Sequence, residues 1–184
     1  MEMKTVPHRI FIGQEAKRYK LSLPRIKTAV RKILNQLKVN QSELDILLVT
    51  DKKIRTMNSR FLNHDWATDV ISFGSTEQRA KGIESKNKRE NSRSLCSMRY
   101  ALGKILQGNI VISLDTTARQ AKEYGNDFFY ELMFYICHGI LHVLGWNDDT
   151  ETKRKRMWGK QTEILGKIGI NKETRREKII TKRQ

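Results

Sequence analysis

The chain has 184 residues, enough for one ordinary domain with a real core and too few for two. Thirty-six Lys plus Arg against 20 Asp plus Glu give a formal net charge of +16 and an isoelectric point near 10.0, which excludes an acidic buffer or halophilic surface and favours a polyanionic partner such as nucleic acid or an anionic membrane face. Counted with glycine and without tyrosine, the apolar share is about 41%, slightly under the usual roughly 45–50%, so polar extensions around a normal core are expected.

In chain order, residues 6–12 read as a strand around Pro7. Residues 23–38 place Ile26, Ala29, Val30, Ile33, Leu34 and Leu37 on one helical stripe, with Pro24 at the start. The run 44–49 is apolar enough for a buried strand, and Asp51 is placed to cap a helix presenting Ile54, Met57 and Phe61. Short strands follow at 70–73 and 110–112, then helices at about 115–124 and 127–144, the second stopped by Gly145. A last helix begins at Asp149 or Thr150 and carries Met157, Trp158, Ile164 and Leu165. This order predicts a single compact α+β domain over 1–184, a small mixed sheet packed with helices.

Two segments break the pattern. Residues 76–107 are rich in Lys, Arg, Ser and Asn, and read as a basic insertion, either a loosely ordered loop or a binding element. Residues 171–184, with six basic residues and two acidic ones, read as a basic tail. Cys96 and Cys137 sit in unlike surroundings and suggest no disulfide framework, and the N-terminal stretch has no apolar signal region, so a reducing, cytoplasmic setting is expected. The apolar run 128–146 contains Glu131, His138 and His142, which makes a buried helix the expectation rather than a membrane span.

The charge is unevenly spread. Residues 108–150 hold 2 basic and 6 acidic residues, net −4, while the remainder is net +20. An acidic island in so basic a chain is suited to holding a cation.

Inside that island runs His138-Gly-Ile-Leu-His142-Val-Leu-Gly145-Trp-Asn-Asp148. Residues four apart on a helix share a face, about 5–6 Å between β-carbons, so both imidazoles can reach one metal ion. Gly145 can then fold the chain back to deliver a carboxylate. Asp148 is the first choice as third ligand, with Asp149 capping the next helix; the reverse assignment and the more distant His64 stay open. Three protein ligands and an open fourth position suit catalytic zinc. The general-base Glu that follows the first His in metallopeptidases is Gly139 here, which counts against peptide hydrolysis.

The His-Gly-x-Leu-His-x-x-Gly-aromatic run, together with Gly108-Asn109-Ile110-Val111-Ile112-Ser113, Met57-Asn58 and Thr68-Asp69-Val70-Ile71-Ser72-Phe73, resembles the YbeY family of bacterial rRNA maturation factors. The resemblance runs from about 44 to 168 apart from the insertion, and includes Glu131 and Met157. It implies a zinc-dependent single-strand endoribonuclease, one Zn2+ per chain, that acts in small-subunit rRNA 3′-end processing and ribosome quality control, with ribosomal RNA and the small ribosomal subunit as partners. His138 and His142 match the family's first two zinc ligands, and its third, usually His, falls on Asp148. A carboxylate there implies bound water less acidic than in a three-His site and a shift towards harder metals. The family's usual Arg aligns with Leu62; Arg60 and Arg55 are the nearest basic residues, and Asp69 and Ser72 are placed to shape the site or brace the strand. No catalytic side chain is assigned. The alternatives are an RNA-binding assembly module with a structural zinc and, behind it, a metallopeptidase.

Overall fold

The computed structural model describes residues 8–62, 65–74 and 105–172. Four strands form one sheet: β1 (Arg9–Gln14), β2 (Ser42–Val49), β3 (Val70–Gly74) and β4 (Leu106–Ser113). Their order is β1-β2-β4-β3, with β1, β2 and β4 parallel and β3 antiparallel to β4. Five helices complete the described residues: α1 (Leu23–Gln36), α2 (Asp51–Leu62), α3 (Leu114–Glu123), α4 (Phe128–Val143) and α5 (Glu151–Lys167). The fold is α+β with a small mixed sheet, as the alternation of short apolar runs and helical stripes predicts.

The sheet's two faces follow from the period of two along each strand. Leu44, Ile46 and Leu48 of β2 and Ile110 and Ile112 of β4 enter the large core with α1, α4 and α5. Val49, Val111 and Ile71 face the other way, towards Ile54 of α2. α4 is apolar on nearly every side and accordingly lies in the middle of the core, where each fully buried Leu, Ile or Met contributes about 1.5–3 kcal/mol. Its C-terminal end crosses β4 closely at Gly108, where a β-carbon would fall 2.6 Å from Val143 Cγ1.

Several boundaries differ from the sequence reading: β1, expected at 6–12, runs Arg9–Gln14, and residues 6 and 7 lie outside the described residues. β4 begins at Leu106, inside the segment expected to be insertion, because Leu106 is buried and pairs with Ser42 while Gln107 Nε2 donates to Glu43 Oε2 at 2.8 Å. The rest of that insertion up to residue 104, and the tail beyond 172, lie outside the described residues. α1 stops at Gln36 because Lys38 takes a left-handed φ of 56° and Val39 N–H returns to Leu34 O. At α2 the cap is Thr50, whose Oγ1 accepts from Lys53 N–H, and Asp51 instead reaches across to α3. There Asp51 accepts from Ser113, Thr116 and Arg119, while its own N–H donates to Asp115 Oδ2 at 3.0 Å, so each helix start supports the other. Burial would raise the Asp51 carboxyl, but these hydrogen bonds outweigh it and hold it below the usual carboxylate range.

No described helix is long and apolar enough to cross a membrane. Cys137 is fully buried and its thiol is pushed up to about 12 by that burial, so it is unreactive near neutrality; Cys96 lies outside the described residues.

Candidate metal centre

Glu131, Tyr135, His138 and His142 fall at i, i+4, i+7 and i+11 of α4 and so share one face. The helix ends in a Schellman turn: Gly145 has φ 85°, its N–H donates to His142 O, and Trp146 N–H donates to Leu141 O. This reversal carries Asp148 back over the imidazoles. Asp148 Oδ2 lies 3.7 Å from His138 Nε2 and Oδ1 lies 3.7 Å from His142 Nε2. Asp149 turns elsewhere, to Lys153 Nζ at 2.7 Å and Asn147, and Thr150 caps α5 by accepting from Lys153 N–H. His64 lies outside the described residues, and Leu62 is the last residue of α2. Arg55 forms a bidentate pair with Asp65, and Arg60 lies over the Phe61 ring.

The two imidazoles are held by their outer nitrogens. His142 Nδ1 lies 3.1 Å from Trp146 O, a carbonyl that can only accept. His138 Nδ1 lies 3.5 Å from Gln161 Oε1, and Gln161 is pinned the right way round because its Nε2 donates to Phe134 O at 3.1 Å. Both Nδ1 atoms therefore carry the proton, and both Nε2 lone pairs point inward, 2.9 Å apart. Two lone pairs so placed repel unless a cation stands between them. With the Asp148 oxygens, the separations of 2.9, 3.7 and 3.7 Å bracket the about 3.3 Å between donor atoms around a tetrahedral zinc. The donor set fits a divalent metal on chemistry and on shape. Burial, with the neighbouring His142, also pulls His138 below the ordinary imidazole value and keeps it neutral, as a ligand must be.

The imidazoles stand between two hollows. One, of about 300 Å³, lies against β3 and is lined by residues 68–72, Gly74, His138 and His142. The other, of about 530 Å³, opens between α4 and α5 and is lined by His138 and Asp148 among others. Asp69 borders both; its Oδ1 accepts from Thr68 Oγ1 and Val70 N–H, so it braces the strand and faces the site at once. Gln161 was not singled out by sequence reasoning. Its signal was there: Met157, Gln161, Ile164 and Leu165 form one buried helical face, and a glutamine on such a face needs a polar partner.

The sequence profile of the family described as Endoribonuclease YbeY matches residues 11–169. The chain belongs to this family. An Endoribonuclease YbeY of Geobacter metallireducens is 31% identical over 159 residues, 85% of this chain and 93% of its own. Those of Bacillus pumilus and Bacillus cytotoxicus are 35% and 37% identical over 135 and 131 residues, which is 73% and 71% of this chain and 77% and 76% of theirs. The solution structure of a Thermotoga maritima protein aligns with 88% of the chain and 91% of its own length at 20% identity and TM-score 0.49. The names that these YbeY relatives carry are nuclease names, which favours neither the binding-module nor the peptidase alternative.

Proposed function

We propose that the chain is a metal-dependent endoribonuclease that cuts single-stranded ribosomal RNA during maturation of the small-subunit rRNA 3′ end, acts in ribosome quality control, and works in the cytoplasm on the small ribosomal subunit or its precursor. The observation that carries this reading is the convergence of His138, His142 and Asp148, with both imidazole protons engaged outward, in a chain of the YbeY family.

His138 Nε2, His142 Nε2 and a carboxylate oxygen of Asp148 would hold the ion, which we assign as Zn2+, one per chain. When bound it would supply Lewis-acid polarisation of a phosphoryl oxygen and would make a coordinated water more acidic. The chain's own residues do the rest. Gln161 and the Trp146 carbonyl keep the imidazoles in one tautomer and one orientation. Asp69, fixed by Thr68 and the Val70 amide, presents a carboxylate to both hollows and can accept a proton there. Arg154 and Lys172 border the larger hollow, and the net +20 outside residues 108–150 suits a phosphate backbone.

The test is cleavage of labelled ribosomal precursor RNA and of casein by the purified chain, with and without chelator. RNA cleavage that chelator and His142→Ala both abolish supports the reading. RNA cleavage indifferent to His142→Ala, or casein cleavage in its place, defeats it.

A further inference from the structure

Resting on the endoribonuclease reading, we infer that the hollow between α4 and α5 is a binding pocket for one unpaired nucleobase beside the scissile phosphate. Its volume, about 530 Å³, lies within the range of small-molecule sites, and it opens directly onto His138 and Asp148. Two of the few large aromatic side chains left exposed among the described residues stand in its wall: Tyr124, 54% exposed at the end of α3, and Trp158, 56% exposed on α5. Trp158 is steadied by a T-shaped contact with Phe134, ring centroids 6.3 Å apart. Two exposed aromatic rings in the wall of one hollow are the kind of platform on which single-stranded bases stack.

The polar lining sorts phosphate from base. Arg154 and Lys172 are exposed and suit the backbone. The other polar wall carries two carboxylates, Asp69 and Glu131, the second accepting from Asn126 Nδ2, beside the amides of Gln120 and Gln161. Such a wall repels a phosphate and the paired carbonyls of uracil, and welcomes an exocyclic amino group. The pocket therefore takes cytosine or a purine amine in preference to uracil.

The experiment uses the full chain with its metal, titrated by stopped-flow anisotropy, so that binding is read before cleavage, against end-labelled oligocytidylate, oligouridylate and a duplex RNA of equal length. Trp158→Ala and Tyr124→Ala are surface changes that leave the core intact. Each weakens oligocytidylate binding on the order of fivefold to a hundredfold without changing the slope of affinity against salt, and Trp158→Phe restores most of the loss. Arg154→Ala lowers that slope by about one ion and spares the preference for oligocytidylate. Wild-type affinity in both aromatic variants overturns the pocket, as does a loss of equal size on the duplex. Equal binding of the two homopolymers by the parent chain overturns the assignment of the polar wall. A parent chain that binds no single-stranded RNA at all defeats the endoribonuclease reading and this inference with it, and is thereby distinguished from failure of the pocket alone.

Discussion

Gly139 of α4 lies against Ile110 of β4 so closely that a β-carbon at 139 would fall 2.7 Å from Ile110 Cγ2. This glycine occupies the position at which a metallopeptidase carries its general base, and the contact says why no base can stand there: that position of the helix is pressed onto the centre of the sheet. Gly139→Ala gains about 1 kcal/mol of helix propensity and loses more to overpacking, because Ile110 is fully buried and cannot retreat. A net loss of up to about 2 kcal/mol is expected, read as a lower midpoint in urea. In an Ile110→Ala background the added methyl finds room, so the penalty should vanish; a penalty unchanged there would show that the contact is not its source.

Gln161 is expected to act through His138. Gln161→Leu fills the same space but removes the acceptor for the Nδ1 proton, and zinc affinity should fall about 10–100-fold, measured by competition with a chromophoric chelator. Gln161→Glu restores an acceptor and should recover most of the loss. Equal zinc affinity in Gln161→Leu and the parent would remove Gln161 from the site.

Asp148 and Asp149 are neighbours with separate tasks. Asp148→Ala should abolish stoichiometric zinc, and Asp148→His, which recreates the ligand usual in the family, should raise the preference for zinc over manganese. Asp149→Ala should leave the metal content at one per chain, since its carboxylate is spent on Lys153 and Asn147. Elemental analysis of the three proteins settles the assignment.

The Asp51 cluster sets an acid limit. Its folded-state carboxyl lies below the ordinary range, so the stabilisation is complete above the unfolded value near 3.8 and is lost as pH falls through the lower folded value. Asp51→Asn should cost about 1–3 kcal/mol at pH 7, where a charged acceptor is lost, and should flatten the decline in stability below about pH 4. Thermal midpoints from pH 7 down to pH 2 would reveal it; parallel curves for the two proteins would contradict it.

Much of this was legible from the chain. The helical stripe from Ile26 to Leu34 and the apolar run at Leu44 to Val49 carry their periods in local sequence, and local sequence is what places His138 and His142 on one face with a glycine stop behind them. What escaped was what depends on a partner far along the chain. Gln107 and Gly108 look like loop residues beside a basic insertion, and become strand only because Glu43 and Val143 wait opposite. Asp51 looks like a helix cap, yet its carboxylate is claimed by α3, some sixty residues away. Gln161 is one polar letter among many in α5 until Phe134 and His138 fix its amide.

All three donor residues fall within the stretch 138–148, and the turn at Gly145 is the only chain reversal between them. Gathering them closes one short loop, with a correspondingly small entropy cost, and ties no distant strands together. An ion there works like a clasp on the end of one helix. Stripping it should loosen residues 142–148 in hydrogen exchange while the amides of β2 and β4 keep their protection, the outcome expected if the chain loses and regains a metal as a folded protein.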